Sequence, residues 1–88
     1  MRAIFLSSFL ADVKKLRDAK VRRAVADAIA NVEQATSPDM VRSLKRLSGA
    51  REYYRIRIGH WRIGLKITAN TVTFIRCLHR RELYRFFP

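Results

Sequence analysis

Four cations fall on one side of a β-hairpin in the C-terminal half of this 88-residue chain: Arg55 and Arg57, then Arg62 and Lys66 beyond a turn at Gly59-His60. Alternation places them there. Tyr53, Arg55 and Arg57 share one parity and Tyr54, Ile56 and Ile58 the other, while beyond the turn Arg62, Gly64 and Lys66 alternate with Trp61, Ile63, Leu65 and Ile67. Strands about 4.8 Å apart would hold those like charges side by side, an arrangement that lowers stability. Phosphate groups seated between them would remove the repulsion, and a guanidinium binds phosphate oxygens through paired donors. The plainer reading of the same residues is a solvated basic strand face, but an incidental surface usually mixes signs.

Further groups stand near these cations in the sequence. Tyr53 is on the same strand face, and Tyr84, Phe86 and Phe87 can reach it from the C-terminus. Aromatic rings beside basic groups suit the unstacked bases of single-stranded RNA; for Phe86 and Phe87 a core or staple role is the better reading, and Trp61 shares parity with core residues. His79-Arg80 closes the third strand. A histidine beside arginines is expected to have a lowered pKa, which suits a general base, although an exposed strand-end histidine fits the position equally well. His60 reads as a turn residue. Glu52 and Glu82, the only acids of residues 45–88, read as partners for arginine rather than as bases. No glycine-rich phosphate loop, metal-ligand cluster or Ser-His-Asp set is present, so neither metal nor cofactor is expected. RNA chemistry needs neither, since the ribose 2′-hydroxyl is an internal nucleophile and a protein need only orient the strand, stabilise charge and move protons. A simple RNA-binding module ranks below that, because the spaced Gly-aromatic strand motif of an RNA-recognition domain is missing.

These groups need a scaffold, and the length suits one domain over residues 1–88. Apolar residues make up 49% of the chain, which argues for a packed core rather than disorder. Lys and Arg number 19 against 7 acids, a net charge of +12, and that excess calls for a polyanionic partner. It is uneven: residues 1–44 carry eight cations and five acids, residues 45–88 eleven cations and two acids. The single cysteine, Cys77, excludes an internal disulfide and reads as a small core residue. The apolar start is too short for a signal peptide or a membrane span, so a cytoplasmic protein without membrane contact is expected.

Ala3 to Leu6 reads as a strand, with Ser7-Ser8 offering a hydroxyl cap to a helix whose stripe is Phe9, Leu10, Val13 and Leu16 and whose outer face carries Asp12, Lys14 and Lys15. A second helix, Lys20 to Gln34, buries Val21, Val25, Ala28, Ile29 and Val32, and Ser37-Pro38 starts a short turn. Three strands follow, Tyr53–Ile58, Trp61–Ile67 and Thr71–Leu78, the last apolar on both faces and therefore central. Residues 80–87 form a helical turn or tail. The expected fold is α+β with the order β-α-α-β-β-β, an antiparallel sheet with an N-terminal helical hairpin on one face.

Several strings in this order resemble the RelE/ParE toxin superfamily: Leu44-Lys45-Arg46-Leu47-Ser48-Gly49, then Tyr53 through Ile63, then His79-Arg80-Arg81-Glu82-Leu83-Tyr84 and the final Phe87-Pro88. The resemblance spans nearly the whole chain and implies a toxin of a type II toxin–antitoxin pair. RelE-like members cut mRNA in the ribosomal A site by 2′-hydroxyl attack on the adjacent phosphate; ParE-like members share the fold and poison DNA gyrase without catalysis. Carried over by position, the basic strand pair is Arg55 and Arg57, the next-strand arginine is Arg62, the strand-end group is His79 and Arg80, and the C-terminal tyrosine is Tyr84. Some RelE members have lysines at the strand pair, and arginine does not give up its proton as lysine can. The resemblance therefore implies electrostatic clamps at Arg55 and Arg57 and proton transfer at His79 or Tyr84. Arg62, His79 and Tyr84 together favour the RNA-cleaving branch. An antitoxin that wraps the toxin with an acidic segment is also implied, as is operator DNA binding through the toxin–antitoxin complex.

Overall fold

The computed structural model describes residues 1–88. Its elements are β1 (Arg2–Phe5), α1 (Ser7–Lys14), α2 (Ala19–Gln34), a 3-10 turn (Pro38–Met40), β2 (Leu44–Arg46), β3 (Tyr53–Ile58), β4 (Trp61–Thr68), β5 (Thr71–His79) and α3 (Leu83–Phe86). The α+β class and the helical hairpin hold. The sheet has five strands in the order β1-β5-β4-β3-β2, one more than alternation alone predicts, because β2 is only three residues long. β5 is an interior strand, as its two apolar faces require. The β2 to β5 pairings are antiparallel, whereas β1 runs parallel to β5.

One hydrophobic layer joins helices to sheet. Phe9, Leu16, Val25 and Val32 meet Ile56, Ile63, Leu65, Ile67, Val72, Phe74 and Cys77, all buried. Fully burying such side chains is worth about 1.5–3 kcal/mol each, so this layer dominates the fold's stability. Asp18 caps α2 by accepting from the Lys20 amide at 2.8 Å, and the Met1 ammonium donates to the carbonyls of Val32, Glu33 and Ala35 at its other end, where orphan acceptors would otherwise be exposed.

Two expectations about α1 are overturned by one cause. Neither serine caps the helix: Leu6 holds the cap position without a side-chain hydrogen bond. Asp12 does not face solvent but is buried. β1 ends its pairing at Phe5 opposite Phe74, leaving the rest of β5 with an unpaired edge. α1 lies along that edge and completes it with side chains one helical turn apart. The Ser8 hydroxyl donates to the Ile75 carbonyl at 2.6 Å, and Asp12 Oδ2 accepts from the Cys77 amide at 2.9 Å. Backbone groups that would be costly to leave unpaired thus turn two polar residues inward. Leu10, on the opposite side of the helix, is the residue left exposed.

Candidate nucleic-acid interface

The β3–β4 hairpin builds the basic face. Its turn uses Gly59 at φ +57°, a left-handed conformation in which glycine carries no Cβ penalty. In the resulting register Tyr53 stands opposite Lys66, Arg55 opposite Gly64, and Arg57 opposite Arg62. All share the side of the sheet away from the buried Ile56, Ile63 and Leu65. Arg62 is anchored by its own turn, Nη1 donating to the carbonyls of Gly59 and Trp61 at 2.7 and 2.8 Å. Arg55 Nη1 donates to the Ser43 carbonyl at 3.1 Å. Both guanidinium groups keep further donors for a ligand.

Charge is concentrated around Arg62. Its pKa is held below the ordinary arginine value by partial desolvation, then by the charges of Arg55 and Arg57; Tyr84 opposes the shift and Arg80 adds to it. Arg62 remains protonated, and the contributions of Arg55, Arg57 and Arg80 to the shift, secondary to desolvation, mark them as its cationic neighbours. The structure thus brings Arg55, Arg57, Arg62, Arg80 and Tyr84 together. Tyr84 projects from α3 with 63% of its surface exposed, a hydroxyl-bearing ring beside guanidinium groups.

Two buried side chains seat α3: Leu83 within it and Phe87 just after it. Phe87 is buried, and its ring lies so close over Gly64 that a Cβ there would come within 2.8–2.9 Å of three ring atoms. Tyr53 meets that ring edge-on at 5.6 Å, and Lys66 lies over Tyr53 at 5.8 Å. Tyr53 and Lys66 are on the basic face but at its far end, with Phe87 between them and Arg62. Four residues of strand, about 13 Å, separate Lys66 from Arg62. Phe86, by contrast, is exposed, under the Arg76 guanidinium at 5.3 Å.

His79 does not join the cluster. The β4–β5 register passes from Leu65 opposite Phe74 to Gly64 opposite Arg76, so Ile75 is an extra, bulged residue. Without the bulge, alternation from Val72 and Phe74 would send His79 to the basic face. With it, Cys77 and His79 take the helix side, opposite Ile63 and Trp61. There His79 meets Trp61 edge-on at 5.7 Å and stacks on His60 at 6.1 Å, while its Nδ1 accepts the Arg81 amide at 3.3 Å. His60 is the turn residue expected. The same bulge turns Arg76 toward the basic side.

The carboxylates also differ from expectation. Neither Glu52 nor Glu82 pairs with an arginine; Glu52 accepts from the Thr68 hydroxyl at 3.1 Å. The one ion pair is Asp12–Arg76, and no group of three or more His, Cys, Asp or Glu side chains is placed to hold a metal ion. Strand alternation in β3 and β4 also missed Lys45. It stands opposite Arg55 through β2 and extends the cationic row to the sheet edge. The Leu-Lys-Arg string gave no strand signal, being too short to alternate.

Residues 3–84 match the family of the ParE toxin of type II toxin-antitoxin system, parDE. Toxin RelE3 of Methanocaldococcus jannaschii is 33% identical over 89 residues, covering all of both chains. The RelB-RelE antitoxin-toxin complex from Methanococcus jannaschii contains a chain that matches with a TM-score of 0.79 and 31% identity, over 97% of this chain and 99% of that one. The YoeB dimer from Staphylococcus aureus shares the fold at a TM-score of 0.71 and 16% identity, over 90% and 95%. No helix of the structure is long and apolar enough to cross a membrane.

Proposed function

This chain belongs to the RelE/ParE family of type II toxin–antitoxin toxins, and from that membership we propose that it is an endoribonuclease that cuts mRNA in the ribosomal A site and so arrests translation. The observation that carries the reading is the basic face of β3 and β4, where Arg57 stands opposite Arg62 with Arg55 two residues along the same strand; Tyr84 lines one groove with Arg55, and the charge of Arg80 reaches Arg62. In the reaction the 2′-oxygen attacks the adjacent phosphorus while the bond to the 5′-oxygen breaks. A proton leaves the 2′-hydroxyl, another reaches the 5′-oxygen, and a 2′,3′-cyclic phosphate and a 5′-hydroxyl result. Arg62, fixed by its two carbonyl contacts, faces the phosphoryl oxygens as charge builds there. Arg55, Arg57 and Arg80 hold the flanking backbone. Tyr84 is the hydroxyl beside Arg62 and serves as proton donor to the leaving oxygen. His79, on the other side of the sheet, is left out of the proton path, and Tyr53 and Lys66 bind RNA farther along the strand.

The ribosome supplies the substrate and places the toxin in the cytoplasm. A cognate antitoxin is the second partner: its acidic segment neutralises the basic face, and the complex binds operator DNA. Primer extension on an in vitro translation reaction tests the catalytic reading. New mRNA ends inside codons are expected only with ribosomes, and Arg62→Ala should reduce them at least a hundredfold, the scale of removing one group that stabilises transition-state charge. The ParE description of the matching family supports a second reading, a gyrase poison acting by protein contact. Intact message together with gyrase-dependent DNA breaks would establish that one instead.

A further inference from the structure

β2 and the turn after it form a second wall to the basic face. A groove of about 410 Å³ runs between them and the C-terminal segment, lined by Lys45, Leu47, Ala50, Arg55, Tyr84 and Pro88 among others. Its cations are Lys45, Arg46 and Arg55, of which Lys45 and Arg55 are adjacent in register, and no Asp or Glu side chain lines it. Lys45 is exposed and forms no ion pair. Apart from Ser48, the remaining lining is apolar or aromatic: Leu47, Ala50, Pro88 and the Tyr84 ring. Adjacent ammonium and guanidinium groups with no acidic side chain between them suit a phosphate, and a largely apolar wall closed by an exposed aromatic ring suits a base. Arg55 is common to this groove and to the Arg62 cluster, so the two sites are neighbours along one path.

We propose that this groove is a nucleotide subsite for single-stranded RNA, in which Lys45 and Arg55 hold the phosphate next to the one at Arg62 and the apolar wall takes its base. The inference rests on RNA being the substrate and extends it to an element that the charge pattern of β3 and β4 does not reach. A lysine on an edge strand also has a plain alternative role, blocking edge-to-edge pairing, and the two roles separate experimentally.

The test is fluorescence anisotropy of a short 2′-O-methyl RNA, which cannot be cleaved, with the full chain across a salt series. Lys45→Gln is compared with Lys14→Gln, an exposed residue of α1 that carries the same charge change, and with Arg62→Ala. For Lys45→Gln we expect a several-fold weaker affinity at low salt and a slope of log K against log salt shallower by about 0.7, one phosphate contact on a single strand. Lys14→Gln should leave the slope unchanged. If Arg62→Ala weakens binding while Lys45→Gln behaves as Lys14→Gln, the subsite is overturned and the RNA reading stands; self-association of Lys45→Gln with an unchanged slope assigns it the edge-guarding role. If the wild-type chain does not bind the RNA, both fall.

Discussion

Asp12→Ala should cost far more than its place on a short surface helix suggests. The carboxylate accepts three hydrogen bonds, from Arg76 Nε at 2.7 Å, Arg76 Nη2 at 3.1 Å and the Cys77 amide at 2.9 Å. Asp12 is nearly enclosed, with 6% of its side chain exposed, whereas Arg76 keeps 25%. Breaking a buried ion pair by removing one partner costs about 3–5 kcal/mol. Arg76 can recover some hydration, so the lower end applies, about 3 kcal/mol, and this includes the Cys77 amide left without a partner. For a domain of this size that lowers Tm by about 12–24 °C. Asp12→Asn keeps an oxygen for the Cys77 amide and should lose about half as much. Thermal unfolding by circular dichroism reads both, and a double-mutant cycle with Arg76→Met should return a coupling of about 2 kcal/mol. A loss under about 1 kcal/mol for Asp12→Ala, with no coupling, would refute the view that α1 side chains complete the open edge of β5.

The other predictions concern charge, burial and packing. Arg57→Gln removes one of two cations that stand directly opposite each other; it should stabilise the fold by about 0.5 kcal/mol at low salt, an advantage that fades as salt rises, while RNA cleavage falls. Burial, with a smaller contribution from Asp12, pushes the Cys77 thiol up to about 12, against about 8.5 in an unfolded chain. The stability held by the protonated thiol is therefore complete below about pH 8.5 and drains away toward pH 12 at about 1.4 kcal/mol per pH unit. Urea unfolding of the wild type should show that extra alkaline slope relative to Cys77→Ala, and equal slopes would count against it. Gly64→Ala drives a methyl group into the Phe87 ring. It should cost about 1–3 kcal/mol through overpacking, and mRNA cutting should drop at least tenfold because Tyr84 moves with α3; unchanged cutting would mean that α3 is not held by this contact.

Alternation made the β3–β4 face legible because its two sides differ in chemistry: Ile56 and Ile63 against Arg57 and Arg62. Where the sides do not differ, the reading lost its footing. β5 is apolar in both directions, so no residue pattern sets its parity, and the bulge at Ile75 decides which of Arg76 and His79 faces the basic side. That bulge lies beside the end of β1 and the start of α1, and such tertiary neighbours are not readable from the segment itself. Asp12 was misplaced for the same reason. By helical periodicity it belongs outside, but an unpaired β5 amide and a nearby guanidinium outweigh periodicity. Lys45 escaped notice because three residues of strand cannot display a period.

The placement of His79 narrows what the basic face can do by itself. With the imidazole on the helix side and no Asp or Glu side chain acting on Arg62, the arginine cluster carries permanent cations with one neighbouring phenol, Tyr84, since Tyr53 stands at the far end of the face. It holds no strong base for the 2′-hydroxyl. In the proposed reaction such a site contributes charge stabilisation in full and proton abstraction weakly. The remaining acceleration has to come from alignment, holding the 2′-oxygen in line with the breaking bond, and orientation of that kind can be worth about 7–11 kcal/mol. A small open face cannot impose it on a flexible strand. An A site that already presents the codon in a fixed conformation can, which gives a physical reason for a ribosome-dependent enzyme to be built from arginines and a tyrosine. The same feature accounts for the cost the fold accepts: Arg57 and Arg62 are held opposed, with the charges of Arg55 and Arg80 acting on Arg62, and a bound polyanion would relieve the repulsion among them more fully than dissolved salt does.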